Sequence, residues 1–327
     1  MDFVLGRNTS YALSHNGNLL GFRKTYTLPP NTFRLEFTDN DFDPSQQSQG
    51  RATWTKVQGV SANQWDMTCN SSDWSNLLSG MRPGTYGNTF KVIDSGDTSG
   101  VTNMYCLFGD ARLSETCWFD TRNVTNMFAM FELTWIRTVP KFNTSKVTTM
   151  REMFDRCSSL VSIPWMDTHN VTDMFAMLDE TQIEEFPNMD TSKVTRFREM
   201  FRSCVHLKKL HLDTSSAVDI NGICWDCAEL TEANFTDTSK VTDMGKIFWD
   251  CLKLKRVPYM DVSSLENISF AFTYDYRIEG GALDLYNRAK DVIPAENTSA
   301  YIEAFRDCGA WTETGAVELA QIPEDWK

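Results

Sequence analysis

The chain has 327 residues and a formal net charge of −13; residues 1–96 are neutral and the remainder carries the whole imbalance. An acidic surface of that kind repels phosphate backbones, and no basic run or RNA-type aromatic motif offsets it, so nucleic acid is excluded as a partner. No stretch approaches the ~20 apolar residues of a membrane-spanning helix, which argues against membrane insertion.

The first residues, MDFVLGRNTSYALSHNG, lack a charged start and an adequate apolar core. No secretory leader is expected, and synthesis in a cytoplasm follows. Residues 1–27 continue neither the strands nor the repeat that come later and read as an arm or anchor. Residues 28–96 read as a β-rich N-terminal cap, with strands over 32–38 and 51–57 near Trp54, Trp65 and Trp74. In so short a piece three tryptophans read as cap core, with a sugar-stacking platform as the alternative. Asp39, Asp41 and Asp43 alternate like the start of a calcium loop. Pro44 stands where such a loop needs glycine and Gly50 where it needs glutamate, so the segment reads as a solvated loop.

From Asp97 onward the element Asp-Thr-x-x-Val-Thr-x-Met recurs, opening at Asp97, Asp120, Asn143, Asp167, Asp190, Asp213, Asp237 and, in worn form, Asp261. A period of 23 or 24 residues is the mark of stacked coils, each too small to bury a core alone. Within NTSKVTTMREMFDRCSSLVSIPWM (143–166), Val147, Met150, Met153 and Phe154 share one face of a helical turn or two, which predicts a short helix. The run Leu160, Ile163, Trp165, Met166 predicts a brief strand, stacked with its equivalents about 4.8 Å apart. Pro140, Pro164, Pro187 and Pro258 recur just past the strand centre and should mark a bulge or a strand end. The opening Asp or Asn should accept from turn amides, forming a polar ladder from coil to coil. Cys157, Cys204, Cys227 and Cys251 share one internal column of small apolar residues. The pair Cys224-x-x-Cys227 has no second pair at metal spacing, so packing is read ahead of zinc, and no metal or cofactor is expected. After Gly280-Gly281, helices are expected over 282–289 and over 299–308, forming a C-terminal cap (279–327) over the last coil.

The units NTSKVTTMREMFDRCSSLVSIPWM and DTSKVTDMGKIFWDCLKLKRVPYM resemble BspA-like leucine-rich repeats, over roughly residues 97–278. The resemblance implies an α/β solenoid: a leucine-rich-repeat horseshoe or arc with a short parallel sheet, one strand and one short helix per coil, a β-rich N-terminal cap and a helical C-terminal cap. The flanks LPPNTFRLEFTD, NQWDMTCNSSDWSNLL, GALDLYNRAKDV and GAVELAQIPEDWK look like the caps of bacteriophage-encoded versions. The family implies recognition of a partner and not catalysis, and no catalytic triad or carboxylate pair stands out; His169, His206 and His211 sit at variable positions.

The resulting expectation is a non-enzymatic virion protein, a fibre, spike or decoration subunit. Its N-terminal region would contact other virion proteins or form a homo-oligomer, and its repeats would contact a bacterial surface protein or glycan. The alternative is a cellular surface adhesin or an intracellular protein-binding scaffold. Binding is expected at the variable positions of the strand: Arg137, Glu184, Glu185, Lys208, Lys209, Glu232, Lys255 and Arg256. From Glu184 onward the sign alternates coil by coil, which suits either a self-paired surface or a mixed-charge contact face.

Overall fold

The computed structural model describes residues 27–46, 50–84 and 86–327, and the backbone of two further strands. Those two, β1 (Ala12–His15) and β2 (Asn18–Phe22), pair antiparallel. Apart from these strands and residue 27, the expected arm at 1–27 lies outside the described residues.

Strand β3 (Thr32–Phe37) alternates inward Phe33, Leu35 and Phe37 with outward Arg34 and Glu36. It is flanked by β5 (Asn63–Thr68) and β6 (Phe90–Ser95), both antiparallel to it; β4 (Thr53–Lys56) closes one side. On the other side β6 pairs in parallel with β7 (Leu113–Thr116), so the first coil of the repeat completes the cap sheet. Trp74 is fully buried, edge-on to Phe33 at 4.8 Å, whereas Trp54 and Trp65 are partly buried against the core. Asp39 and Asp43 each accept from a backbone amide two residues on, as loop carboxylates do.

The repeats stack, but not on helices. The expected helix is instead a run of tight turns. In the coil at Met150, the amides of Met150, Glu152, Phe154 and Arg156 donate to Asp173, Phe175, Met177 and Asp179 of the next coil, at 2.8–3.1 Å. The amides between them, of Met153, Asp155 and Cys157, donate three residues back within the coil. With the Arg151 amide donating to Thr149 Oγ1 at 3.3 Å, every amide from Met150 to Cys157 is used, four within the coil and four between coils. A helix would direct them all inward along one segment, and the ladder to the next coil would be lost. Residues at i and i+3 still share a face in this arrangement, so Val147, Met150, Met153 and Phe154 are fully buried as expected.

The turns require a left-handed residue at two places per coil, here Glu152 (φ 54°) and Arg156 (φ 55°). The same two places recur from Asn76 and Gly80 to Glu303 and Asp307. The ladder therefore starts inside the segment expected as cap, at Trp74, and runs on to Tyr301: Ile268, Phe270, Phe272 and Tyr274 donate to Ala300, Ile302, Ala304 and Arg306. The helix expected over 299–308 is thus a further rung of turns, introduced by a short 3₁₀ segment, Thr298–Ala300.

One strand per coil is likewise not what forms. Beside β7, only β8 (Lys209–Leu212) and β9 (Glu232–Phe235) occur in the array, paired in parallel. The coils that have strands carry Cys117, Leu210 and Asn234 where the others have Pro140, Pro164, Pro187 and Pro258. Proline cannot donate to a ladder, and where it stands the strand is reduced to single inter-coil bonds such as Val161 N–H to Arg137 O at 3.1 Å.

A second ladder fixes the bends. The opening Asp or Asn accepts from the amide two residues on, as at Asp190 and Ser192 (3.0 Å). The threonine that follows it is buried and donates to the opening carbonyl of the next coil: Thr144 to Asp167, Thr168 to Asp190, Thr191 to Asp213, at 2.6–2.9 Å. Inside, phenylalanines stack along the axis, Phe108 on Phe131 on Phe154, at 5.4 and 5.6 Å. The cysteine column is interleaved with Ala111, Thr134 and Thr181, and its thiols donate to carbonyls one coil back, as Cys157 does to Phe131 O at 2.9 Å. The nine cysteines are free, and burial pushes the Cys157 thiol up to about 12.

Helix α1 (Ala282–Ala289) forms over the expected range, and α2 (Glu313–Leu319) follows the last rung. The fully buried face of α1 is Ala282, Leu285 and Ala289, while Leu283 and Tyr286, which the sequence pattern places on the inner face, are only partly buried. Glu318 of α2 accepts from Gly281 N (3.3 Å) and Leu283 N (3.1 Å), tying the two helices together. Gly309 (φ 72°) lets the backbone leave the last rung against Gly315, where a Cβ would meet that Cα at 2.7 Å. Trp326 then stacks on Tyr301 at 4.3 Å and closes the end of the core.

Candidate binding face

The side of the stack where the strands run carries the side chains that differ most from coil to coil. All eight charged positions expected there, Arg137, Glu184, Glu185, Lys208, Lys209, Glu232, Lys255 and Arg256, are exposed. The structure brings the middle five together on neighbouring coils. Lys208 pairs with Glu184, and Lys209 Nζ lies 3.0 Å from Glu232. The bond from Lys208 lowers the Glu184 carboxyl below its ordinary value, and Lys209 does the same to Glu232. Exposed pairs of this kind are screened by solvent and contribute little to stability. Arg137 stands two coils upstream. Lys255 and Arg256 stand downstream and line two separate grooves, Lys255 beside Arg277 and Arg256 beside Arg288.

A second column on this side was not anticipated. Two residues before each opening Asp or Asn stand Trp118, Lys141, Trp165, Asn188, His211, Phe235 and Tyr259. Three grooves follow it. The first, about 340 Å³, is lined by Trp118, Lys141, Phe142, Asn143, Thr144, Ser145, Trp165 and Asp167. The second, about 470 Å³, holds Glu185, Phe186, Asn188, Lys209, Leu210, His211, Glu232 and Asn234. The third, about 460 Å³, lies between the last strand segment and the helices, where Arg288 is held by Asp284 (2.8 Å) and covers the Tyr259 ring at 4.8 Å. The column is legible in the aligned repeats, two residues before each opening Asp or Asn; that it lines grooves depends on the stacking of coils.

Residues 76–186 and again 180–281 match the family described as "Mycoplasma protein of unknown function, DUF285". The chain belongs to this family. For this DUF285 chain the match bears out the BspA-like resemblance of the repeats. Among solved structures, a leucine rich cell surface protein from Faecalibacterium prausnitzii A2-165 is similar at 14% identity, covering 80% of this chain and 92% of that chain, with a TM-score of 0.27. The stacked-coil architecture rests on the hydrogen-bond ladders and not on that likeness. No curated protein matches the chain.

Elsewhere on this DUF285 chain the chemistry is that of packing. On the turn side Arg202 clamps Asp179, Nε to both carboxylate oxygens at 2.9 Å, and reaches Glu180 at 3.1 Å. His169 Nδ1 lies 2.6 Å from Asp167 Oδ1, a contact within one turn. Among the described residues no group of three or more His, Cys, Asp or Glu side chains is placed to hold a metal ion, and no helix is long and apolar enough to cross a membrane.

Proposed function

We propose that this is a non-catalytic recognition protein whose stacked coils form a leucine-rich-repeat arc, with the strand side meeting a cell-surface protein or glycan. The observation that carries this reading is the contrast between the two sides of each coil. The interior and the bends repeat the same residues, while the exposed strand-side positions change from coil to coil and line successive grooves. A uniform scaffold with a variable outer row is what an extended contact surface needs.

The flanking segments LPPNTFRLEFTD and GAVELAQIPEDWK favour a bacteriophage particle as the setting, with the N-terminal region against other virion proteins and the strand side against the host surface. Membership of the DUF285 family, described from a cellular organism, favours the second reading, a cellular surface adhesin. Immunogold labelling separates them. Label on purified phage particles supports the virion reading; label on the envelope of cells free of phage overturns it. Charge reversal of Lys208, Lys209 and Glu232 together should weaken capture of the labelled target, and capture unchanged by reversal removes this charged part of the strand side from the contact.

A further inference from the structure

The first groove on the strand side has a chemistry of its own. Trp118 is 45% exposed and Trp165 48%, on coils two apart, with Lys141 on the coil between. Large apolar rings left in water are informative, since every other large aromatic side chain of the array except Tyr259 is buried or half-buried. The Trp165 indole is fixed in place: its Nε1–H donates to Asn188 O at 3.1 Å, and Lys141 Nζ sits 4.8 Å from its centroid. Around the two rings the groove presents Asn143, Ser145 and Asp167. One indole wall held in place, a second exposed indole opposite and a few polar groups at the rim suit a ring that is apolar on its face and polar at its edge.

We propose that this groove binds a neutral pyranose unit of a glycan, stacked on Trp165 and Trp118. The assignment rests on the recognition role above and names the ligand class for one part of that face. A pyranose offers C–H groups to the indoles and hydroxyls to Lys141, Asn143 and Asp167. On binding, the sugar ring takes the place of the Lys141 ammonium over Trp165, and the ammonium turns to a hydroxyl at the ring's edge. A peptide added as a strand does not fit, because Pro140 and Pro164 interrupt the strand in these coils and leave no ladder to extend. A strongly anionic group would meet Asp167 beside the single Lys141, and a cationic one would meet the ammonium already on the ring.

The test is calorimetric titration of the full chain with neutral hexaoses of glucose, mannose, galactose and N-acetylglucosamine, with indole fluorescence followed in parallel. At least one hexaose should bind and shift the fluorescence, and Trp165→Ala and Trp118→Ala should each weaken that binding about tenfold. Lys141→Ala should weaken it less, and Trp311→Ala, at an exposed indole outside the groove, should leave it unchanged. Binding by none of the four sugars, or binding unmoved by both groove variants, overturns the proposal. Unchanged melting temperatures of the variants exclude misfolding as the cause of a loss. Capture of whole bacterial cells is scored alongside: equal capture by wild type and the Trp118→Ala/Trp165→Ala variant sinks the sugar groove and leaves the recognition face standing, whereas no capture by wild type sinks the face itself.

Discussion

The backbone N–H of Cys251 donates to Oδ1 of Asp275, one coil on, at 2.7 Å. Asp275 occupies the place that Cys157, Cys204, Cys227 and Cys251 hold in earlier coils, fully buried, and its Oδ2 has no hydrogen-bond partner. Burial pushes its carboxyl well above the ordinary value of 3.8. A carboxyl raised in this way stabilises the fold fully below its ordinary value, and that contribution is lost as the pH rises through the folded value. Asp275→Asn keeps the acceptor for Cys251 and removes the titration. It should stabilise the protein by about 1–2 kcal/mol at neutral pH, with a gain that vanishes in acid. Urea unfolding across a pH series measures this, and a gain that does not shrink on acidification would contradict it.

Asp155 lies on the turn side of a middle coil with Oδ1 unpartnered. Burial, and next the neighbouring Asp179, raise its carboxyl to about 7. Its contribution is therefore complete below pH 3.8 and lost between there and about 7. Carbon-detected NMR of the Asp155 carboxyl should give a midpoint near neutrality, and Asp155→Asn should flatten the pH dependence of stability over that window. A midpoint in the ordinary carboxylate range would refute it.

Thr191 holds two backbone groups of the next coil, donating to Asp213 O at 2.9 Å and accepting from Asp213 N at 3.0 Å. Thr191→Val preserves shape and strands both. A loss of about 1–3 kcal/mol is expected in denaturant unfolding. A neutral substitution would mean that this ladder does not hold the bends.

Leu133 sits in the left-handed region at φ 56° and is 37% exposed. Leu133→Gly should relieve the backbone and raise stability by about 1 kcal/mol, while Leu133→Ala should not. Thermal melts of the pair decide the point: equal effects would place the cost in side-chain packing.

The core was legible residue by residue. Met150, Met153, Phe154 and Cys157 are all fully buried, because burial depends only on which residues share a face, and a three-residue spacing reports that for turns as well as for helices. The backbone conformation was not legible, since Glu152 and Arg156 are poor signals for a left-handed turn that glycine would have announced. The charged positions of the candidate face were readable as variable and exposed. The groove between Trp118 and Trp165 was not, because those residues lie 47 positions apart and come to line one groove only through the stacking of coils.

From its sequence alone the chain determined a period, an inner surface and the places where strands fail. Apolar side chains at fixed intervals must meet, and proline cannot donate, whatever the coil's detailed path. Only the tertiary structure decided that amides would pass between coils rather than along a helix, that the ladder would run from Trp74 to Tyr301, and that Asp275 would be enclosed. Those outcomes depend on the neighbouring coil, which supplies the acceptors and excludes the water, and no single coil contains that information.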